Sequence, residues 1–258
     1  MRFRAGALIG AGEDRPIASL PYKHVSCGEA FSAATFSQYY EYFRRLNVQA
    51  LINSGALVYQ PHTVVADRHT VAEAGARILP YVTLIRTRLS GSCAVEDSAL
   101  FDCDVGEGSS VLSSRLMGVS VGANVTVGPF AYLRKGTVLQ NGSHVGAFCE
   151  MKQAELGEGS KVAHLSYVGD ALLGKGCNVG CGAVFANYNG SVKARTVVGD
   201  RVFIGCNSNL VAPLSVGSCS YVAAGSTVTK DISEGSLVIA RSRQAEKTHW
   251  AENPFVGK

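Results

Sequence analysis

From Val121 onward an aliphatic side chain returns every sixth residue: Val121, Val127, Leu133, Leu139, Val145 and Met151. The count slips by one to Leu156, resumes at Val162 and Val168, slips again to Leu173, and runs on to Val179 and Phe185. After an irregular stretch it returns as Val198, Ile204, Leu210, Val216, Val222 and Val228. Four residues after most of these sits a small or β-branched side chain, among them Val125, Ala131, Thr137, Ser143, Cys149, Ser160, Ser166, Ala183, Val202, Ser208, Ser220 and Ser226. Gly often follows the aliphatic residue directly, as at Gly122, Gly128, Gly146, Gly157 and Gly205. A period of six is neither helical nor a simple strand alternation. It fits short flat strands joined by sharp corners, three strands to a triangular coil, with the aliphatic side chain filling the prism and the small one packed beside it. Gly at such positions relieves crowding at the corners. Each coil then bonds through its backbone to the coils above and below, at about 4.8 Å. The fold class this predicts is all-β, a parallel β-helix built on a hexapeptide repeat, with a short N-terminal helical segment. Spacing alone does not fix the hand of the coil.

The pattern is more ragged between about Val58 and Val111, although Val105-Gly106-Glu107-Gly108-Ser109 fits, and this stretch reads as earlier coils of the same prism. Upstream, Phe31 to Asn53 reads as a helix, with Phe36, Tyr39, Tyr40, Phe43, Leu46 and Leu51 at roughly helical spacing. Residues 1–30 carry no clear signal. The expected organisation is an N-terminal segment with a linker helix over 1–56, the β-helix over 57–235, and a C-terminal extension over 236–258.

Composition agrees with the repeat. Gly is frequent (29 of 258 residues) and charged residues make up only 17%, as tight corners favour. The net charge of +4 comes without a dense Lys/Arg run, which argues against a nucleic-acid partner. No apolar run reaches the roughly 18 residues a membrane span needs. Met1-Arg2-Phe3-Arg4 followed by Ala5 to Gly12 mimics a signal peptide, but Glu13, Asp14 and Arg15 cut it short, so a cytoplasmic protein is expected. The eight cysteines (27, 93, 103, 149, 177, 181, 206 and 219) contain no CxxC pair, so neither a zinc ribbon nor a thioredoxin motif is supported, and no metal is expected. Several fall in small-residue slots of the repeat and read as reduced, buried thiols.

Inward positions are taken by packing, so function must lie on outward positions, in a loop or at an end. The segment Asn187-Tyr188-Asn189-Gly190-Ser191-Val192-Lys193-Ala194-Arg195-Thr196 breaks the period and is expected to project from a corner as the wall of a site. Arg134 and Lys152 are 18 residues apart, one coil without a slip, and should stack in adjacent coils. Two stacked outward cations repel unless an anion lies beside them, and a phosphate is the natural guest. The alternative is a pair of solvated surface cations, which residue type alone favours. Glu150 and Tyr167, 17 apart across one slip, should also be coil neighbours. His164 precedes Tyr167 by three residues on what reads as the same strand region. A nearby carboxylate would fix its tautomer and raise its basicity, as a base acting on an ammonium nucleophile requires. A lone histidine is more often structural; here Glu150, Lys152, Tyr167 and Asn178 point toward function. A metal-dependent hydratase on such a prism would need histidines on adjacent coils, and His144 and His164 are not an integer number of coils apart.

The segments Val127-Gly128-Pro129-Phe130-Ala131-Tyr132-Leu133-Arg134, Glu150-Met151-Lys152, His164-Leu165-Ser166-Tyr167-Val168-Gly169-Asp170, Asn187-Tyr188-Asn189-Gly190 and Ile239-Ala240-Arg241-Ser242-Arg243 resemble one family. It is the acetyltransferase half of the bifunctional glucosamine-1-phosphate acetyltransferase / N-acetylglucosamine-1-phosphate uridyltransferase. The likeness covers most of the chain, from the helix near Phe36, and its most specific motifs begin at Val127. The resemblance implies a left-handed coil and transfer of an acetyl group from acetyl-CoA, as co-substrate, to glucosamine-1-phosphate. It implies a place in UDP-N-acetylglucosamine and peptidoglycan precursor synthesis, and a homotrimer whose active sites are shared between subunits. Residue by residue, it implies His164 as general base and Glu150 as its orienting partner. Arg134 and Lys152 would contact the sugar phosphate, Tyr167 and Asn178 the sugar, and Lys193 would be a basic active-site residue. Asn187 and Tyr188 would lie near the acetyl group and the reacting amine. Cys181, Cys206, Ala224 and Arg241 would line the coenzyme, Arg241 at its far end.

The sequence departs from that family at several points. Cys181 stands where the family usually has Ala, Cys206 where it has Ser, Asn189 where it has Asp, and Lys135 where it has Pro. At Cys206 a good hydrogen-bond donor becomes a weak one; this reads as drift or as a changed acyl group. No covalent intermediate is required, and alanine at either cysteine is expected to have only a mild effect. The family's uridyltransferase domain opens with a Gly-rich loop, of which Leu8-Ile9-Gly10-Ala11-Gly12 is a weak echo, so nucleotide transfer and its Mg²⁺ are not expected. The alternatives that remain open are another amino-sugar acceptor and a non-catalytic trimeric partner of a separate uridyltransferase.

Overall fold

The structure is a computed structural model and describes residues 33–248, with side chains from Ser37 onward. The expectations for residues 1–30 with Cys27, for the helix start at Phe31 and for the end of the C-terminal extension lie outside the described residues, as does the side chain of Phe36. Contacts divide the chain into Met1–Glu41 and Tyr42–Lys258. Of the first unit, only the opening turns of the helix Ala33–Asn53 are described.

The second unit is a left-handed parallel β-helix. Its strands fall into three parallel sheets of eleven, ten and nine strands, and successive strands enter successive sheets. We call these the first, second and third sheets. One coil runs through Thr126–Val127, Tyr132–Leu133 and Thr137–Leu139. The next runs through His144–Ala147, Glu150–Lys152 and Glu155–Leu156. The period-six residues stack in register: Val127 on Val145 and Val162, Leu133 on Met151 and Val168, Leu139 on Leu156 and Leu173. All of them, from Val121 to Val228, are buried and form one continuous core. Apolar burial along the prism axis drives the coils together, and the backbone bonds between successive coils set their register.

The ragged stretch is the start of the same prism. Its interior residues are Ala66, Ala72, Ile78, Leu84, Leu89, Val95, Leu100, Val105, Val111 and Leu116, all buried. Five-residue steps, as from Leu84 to Leu89 and from Val95 to Leu100 to Val105, are frequent here and blur the six-residue pattern. The small slots are buried as well, and their hydroxyls tie coils together. Ser160 Oγ donates to Gly174 O at 2.7 Å and accepts from Cys177 N at 2.8 Å.

Glycine plays two roles, only one of them expected. Left-handed corners occur at glycines but equally at Phe130 (φ 60°), Phe148 (φ 57°), Leu165 (φ 48°) and Asn207 (φ 54°), conformations that cost L-residues energy and are held here by the coil-to-coil bonds. A glycine directly after the aliphatic residue more often serves close stacking. A Cβ on Gly146 would lie 2.0 Å from Ala163 O.

The expected helix is present as Ala33–Asn53, and several of the cysteines are buried free thiols as expected. Of the described helical residues, Val48 and Leu51 are buried, whereas Tyr40, Phe43 and Leu46 are exposed. The helix is tied to the first coil by Val48 and Leu51, which join the core, and by polar contacts: Arg44 Nη1 donates to Pro61 O and Val64 O, and Asn47 Nδ2 to Ala66 O, each at 2.8 Å. Four described cysteines (93, 103, 149 and 177) are buried free thiols, but Cys181 is half-buried and Cys206 and Cys219 are exposed. Burial pushes the Cys93 thiol up to about 11. Among the described residues, no helix is long and apolar enough to cross a membrane.

Candidate functional site

The second sheet sets Tyr132, Glu150 and Tyr167 in register on successive coils. Two residues along the same strands, Arg134 and Lys152 stack as the coil count predicts; Arg134 N donates to Met151 O at 2.9 Å. Arg134 Nη1 donates to Glu150 Oε1 at 2.9 Å, and its guanidinium lies 5.9 Å from the centre of the Tyr132 ring. The Glu150 carboxylate raises the pKa of Arg134 above its ordinary value.

The projecting segment is a small hairpin at the edge between the second and third sheets. Tyr188 and Lys193 form an antiparallel bridge. Asn189 Oδ1 accepts from the backbone of Ser191 at 3.0 Å and Val192 at 2.9 Å, and Ala194 N donates to Asn187 O at 2.9 Å. The Tyr188 hydroxyl donates to Gly190 O at 2.6 Å. This hairpin brings Lys193 against Lys152. The neighbouring Lys193 ammonium, then burial and Arg134, lower the Lys152 pKa, while Asp170 opposes them. Three cations thus converge on one exposed edge, and an anion placed among them would relieve the repulsion.

Asp170 occupies the same edge (φ 46°). Its carboxylate accepts a short hydrogen bond from Asn187 Nδ2, and its backbone is fixed by bonds to Lys152 O at 3.0 Å and from Thr196 N at 3.1 Å. The sequence motif contains Asp170 but assigns it no role; a second carboxylate, after Glu150, among Lys152, Lys193 and Arg134 was the available signal. Gly169, beside it, is required by Tyr167 and Asn187: a Cβ there would meet Tyr167 Oη at 2.5 Å and Asn187 Nδ2 at 2.8 Å. Arg134, Glu150, Lys152, Tyr167, Asn187 and Lys193 are therefore brought together, with Asp170 added.

His164 stands apart from this cluster. It ends the strand Lys161–His164 of the first sheet, Leu165 turns the edge, and Tyr167 opens a strand of the second sheet. The two do not share a strand, contrary to expectation, because the corner falls between them. The expected Glu150–His164 contact is not made within this chain either; Glu150 is engaged by Arg134. Among the described residues the exposed His164 imidazole has no hydrogen-bond partner.

Along the edge between the first and second sheets, His164, Cys181, Cys206 and Ala224 occupy successive coils. Gly182 N donates to His164 O at 3.3 Å, Asn207 N to Cys181 O at 2.8 Å, and Gly225 N to Cys206 O at 2.8 Å. Arg241 continues the line, its Cδ 3.6 Å from where a Cβ on Gly225 would lie. Three coil steps of about 4.8 Å make a strip of roughly 14 Å with small side chains and a cation at its end. A long, flexible, anion-tailed ligand fits such a strip. Asn178 lies on the first sheet, in register between Lys161 and Phe203, and is not part of the Tyr167 cluster in this chain. Among the described residues, no three His, Cys, Asp or Glu side chains gather as metal ligands would.

Fold and surface together define a hexapeptide-repeat β-helix protein with a cationic cluster on one edge and a small-residue strip on another. No family model matches the chain. Over 211 residues it is 44% identical to the bifunctional protein GlmU of Caldanaerobacter subterraneus subsp. tengcongensis, covering 81% of this chain and 46% of that protein. It is 41% identical to the one of Clostridioides difficile over 81% of this chain and 46% of that protein, and 40% identical to that of Brevibacillus brevis over 84% and 48%. Over these matched residues the chain is a homologue of bifunctional GlmU proteins, matching the acetyltransferase half of them. It spans about half the length of the curated relatives it matches. Among solved structures, the UDP-N-acetylglucosamine O-acyltransferase of Moraxella catarrhalis superposes at a TM-score of 0.38, with 14% identity over 65% of this chain and 68% of that one.

Proposed function

We propose that this chain transfers an acetyl group from acetyl-CoA to the amine of glucosamine-1-phosphate, in the cytoplasm, to supply N-acetylglucosamine-1-phosphate for UDP-N-acetylglucosamine and peptidoglycan precursors. The observation that carries the reading is the in-register Arg134–Lys152 pair with Lys193 folded against it, beside Tyr167 and Asn187. The likeness to GlmU proteins supports it.

Arg134, Lys152 and Lys193 hold the phosphate, and Tyr167 orients the sugar. His164 takes a proton from the ammonium of the sugar, and the freed amine attacks the thioester carbonyl. The new C–N bond forms as the C–S bond breaks, and the coenzyme leaves as its thiol after taking up a proton. Asn187, which Asp170 holds, donates to the oxyanion in this reading. The coenzyme lies along Cys181, Cys206 and Ala224, with a phosphate of its far end at Arg241.

In one chain the cation cluster and His164 lie toward opposite edges of the second sheet, and this separation supports a site shared between copies. We propose that a second copy completes the site, in a homotrimer, with the exposed Phe130, Phe148 and Leu165 below His164 in the contact. Phe130 and Phe148 stack at 5.3 Å on that edge, and such a surface strip is characteristic of interfaces. In this arrangement Asn178 comes with His164 from one copy, Tyr188 comes with the cation cluster from the other, and Glu150 of that other copy orients His164.

The test compares acceptors. Thiol release from acetyl-CoA should be robust with glucosamine-1-phosphate and should need far higher concentrations of free glucosamine. Equal use of both sugars would replace the assigned acceptor with another amino sugar. No release with any amino sugar would favour a non-catalytic partner protein.

A further inference from the structure

Cys181 and Cys206 follow the same element of the repeat, an inward aliphatic residue and a glycine: Val179-Gly180-Cys181 and Ile204-Gly205-Cys206. Val179 pairs with Ile204 before them and Val184 with Asn209 after them, so the two cysteines share one register across adjacent coils. The bond from Asn207 N to Cys181 O at 2.8 Å fixes that register. Stacked residues in parallel strands place their Cα atoms about 4.8 Å apart, within the roughly 4.4–6.8 Å that a disulfide spans. Both are free thiols, Cys206 exposed and Cys181 half-buried. Cys149 and Cys177 point into the buried core, and exposed Cys219 sits at a different edge, against Arg201 Nη2 at 3.1 Å.

We propose that Cys181 and Cys206 form an oxidisable dithiol, a modification site that reacts with low-molecular-weight disulfides and closes a disulfide across two coils. The Cys206 thiolate attacks the oxidant's S–S bond, one half leaves as a thiol, and a mixed disulfide remains. The Cys181 thiolate displaces the second half. Two protein thiols lose two electrons and two protons, and the oxidant departs as two thiols. Because both sulfurs lie on the strip assigned above to acetyl-CoA, the disulfide and the coenzyme exclude one another; this coupling rests on the proposed function, whereas the disulfide itself does not.

The full chain is treated with oxidised glutathione, digested without reduction, and analysed by mass spectrometry for a peptide linking Cys181 to Cys206. The linked peptide is expected in the wild type and in Cys219→Ser, and is lost in Cys206→Ser. Acetyl-CoA at ten times its half-saturating concentration should slow linkage about tenfold, and acetyl transfer should fall in proportion to the linked fraction and return with dithiothreitol. Absence of the linked peptide under conditions that glutathionylate Cys219 would overturn the dithiol. Linkage that acetyl-CoA leaves unslowed would overturn the coupling. Linkage in a protein that transfers no acetyl group in its reduced state would uphold the dithiol and defeat the proposed function instead.

Discussion

Replacing His164 with alanine is expected to lower the rate of acetyl transfer by about 10²–10⁴-fold, the range for loss of a positioned general base. The proton to be removed sits on an ammonium, and the amine is not a nucleophile until it goes. The fold should survive, because the exposed imidazole bonds to no described residue and the backbone bonds at His164 do not depend on the side chain. Rates at saturating acetyl-CoA, with circular dichroism as the control on folding, test this. A folded variant that keeps its rate would remove His164 from the mechanism.

Lys152→Gln is expected to act on substrate binding. A hydrogen bond to a charged partner contributes about 1.5–3 kcal/mol, so the KM for glucosamine-1-phosphate should rise by roughly 10–150-fold. The KM for acetyl-CoA should hardly move. The same substitution relieves repulsion with Lys193, which lowers the Lys152 pKa. A lysine whose folded pKa is depressed weakens the fold at all pH values below that folded pKa, and the penalty is relieved as pH rises through it toward the ordinary lysine value. The variant should therefore be at least as stable as the wild type at neutral pH while binding substrate worse. In the wild type, affinity for the phosphorylated sugar should begin to fall at lower pH than an unperturbed lysine would dictate. Titrating KM against pH in both proteins reads this directly. A loss of stability together with an unchanged KM would make Lys152 a structural residue.

Much of this was legible in the sequence, and the reasons are specific. Every aliphatic residue of the period from Val121 to Val228 is buried, because a triangular coil allows one side-chain type at each inward position. Coil arithmetic also placed Arg134 on Lys152 and Glu150 on Tyr167, since register in stacked parallel coils is a matter of counting. Counting fails where the chain turns. The corner at Leu165 sends His164 and Tyr167 to different sheets, although only three residues separate them. The choice of Glu150 between Arg134 and His164 depends on which edge each side chain faces, which spacing does not carry. Nor does helical spacing say how much of a face is covered, and Phe43 and Leu46 are exposed. The hairpin that folds Lys193 onto Lys152 was visible only as a break in the period.

Under the proposed function, acetyl transfer takes place between copies, with His164 from one and the cation cluster from another. Two inactive chains test it, His164→Ala and the double variant Arg134→Gln/Lys152→Gln, co-expressed in equal amounts and assayed as mixed assemblies. Random mixing should restore about a quarter of the wild-type sites, since each then draws an intact histidine and an intact cation pair from different chains. Mixed assemblies with no more activity than either variant alone would contradict the shared site.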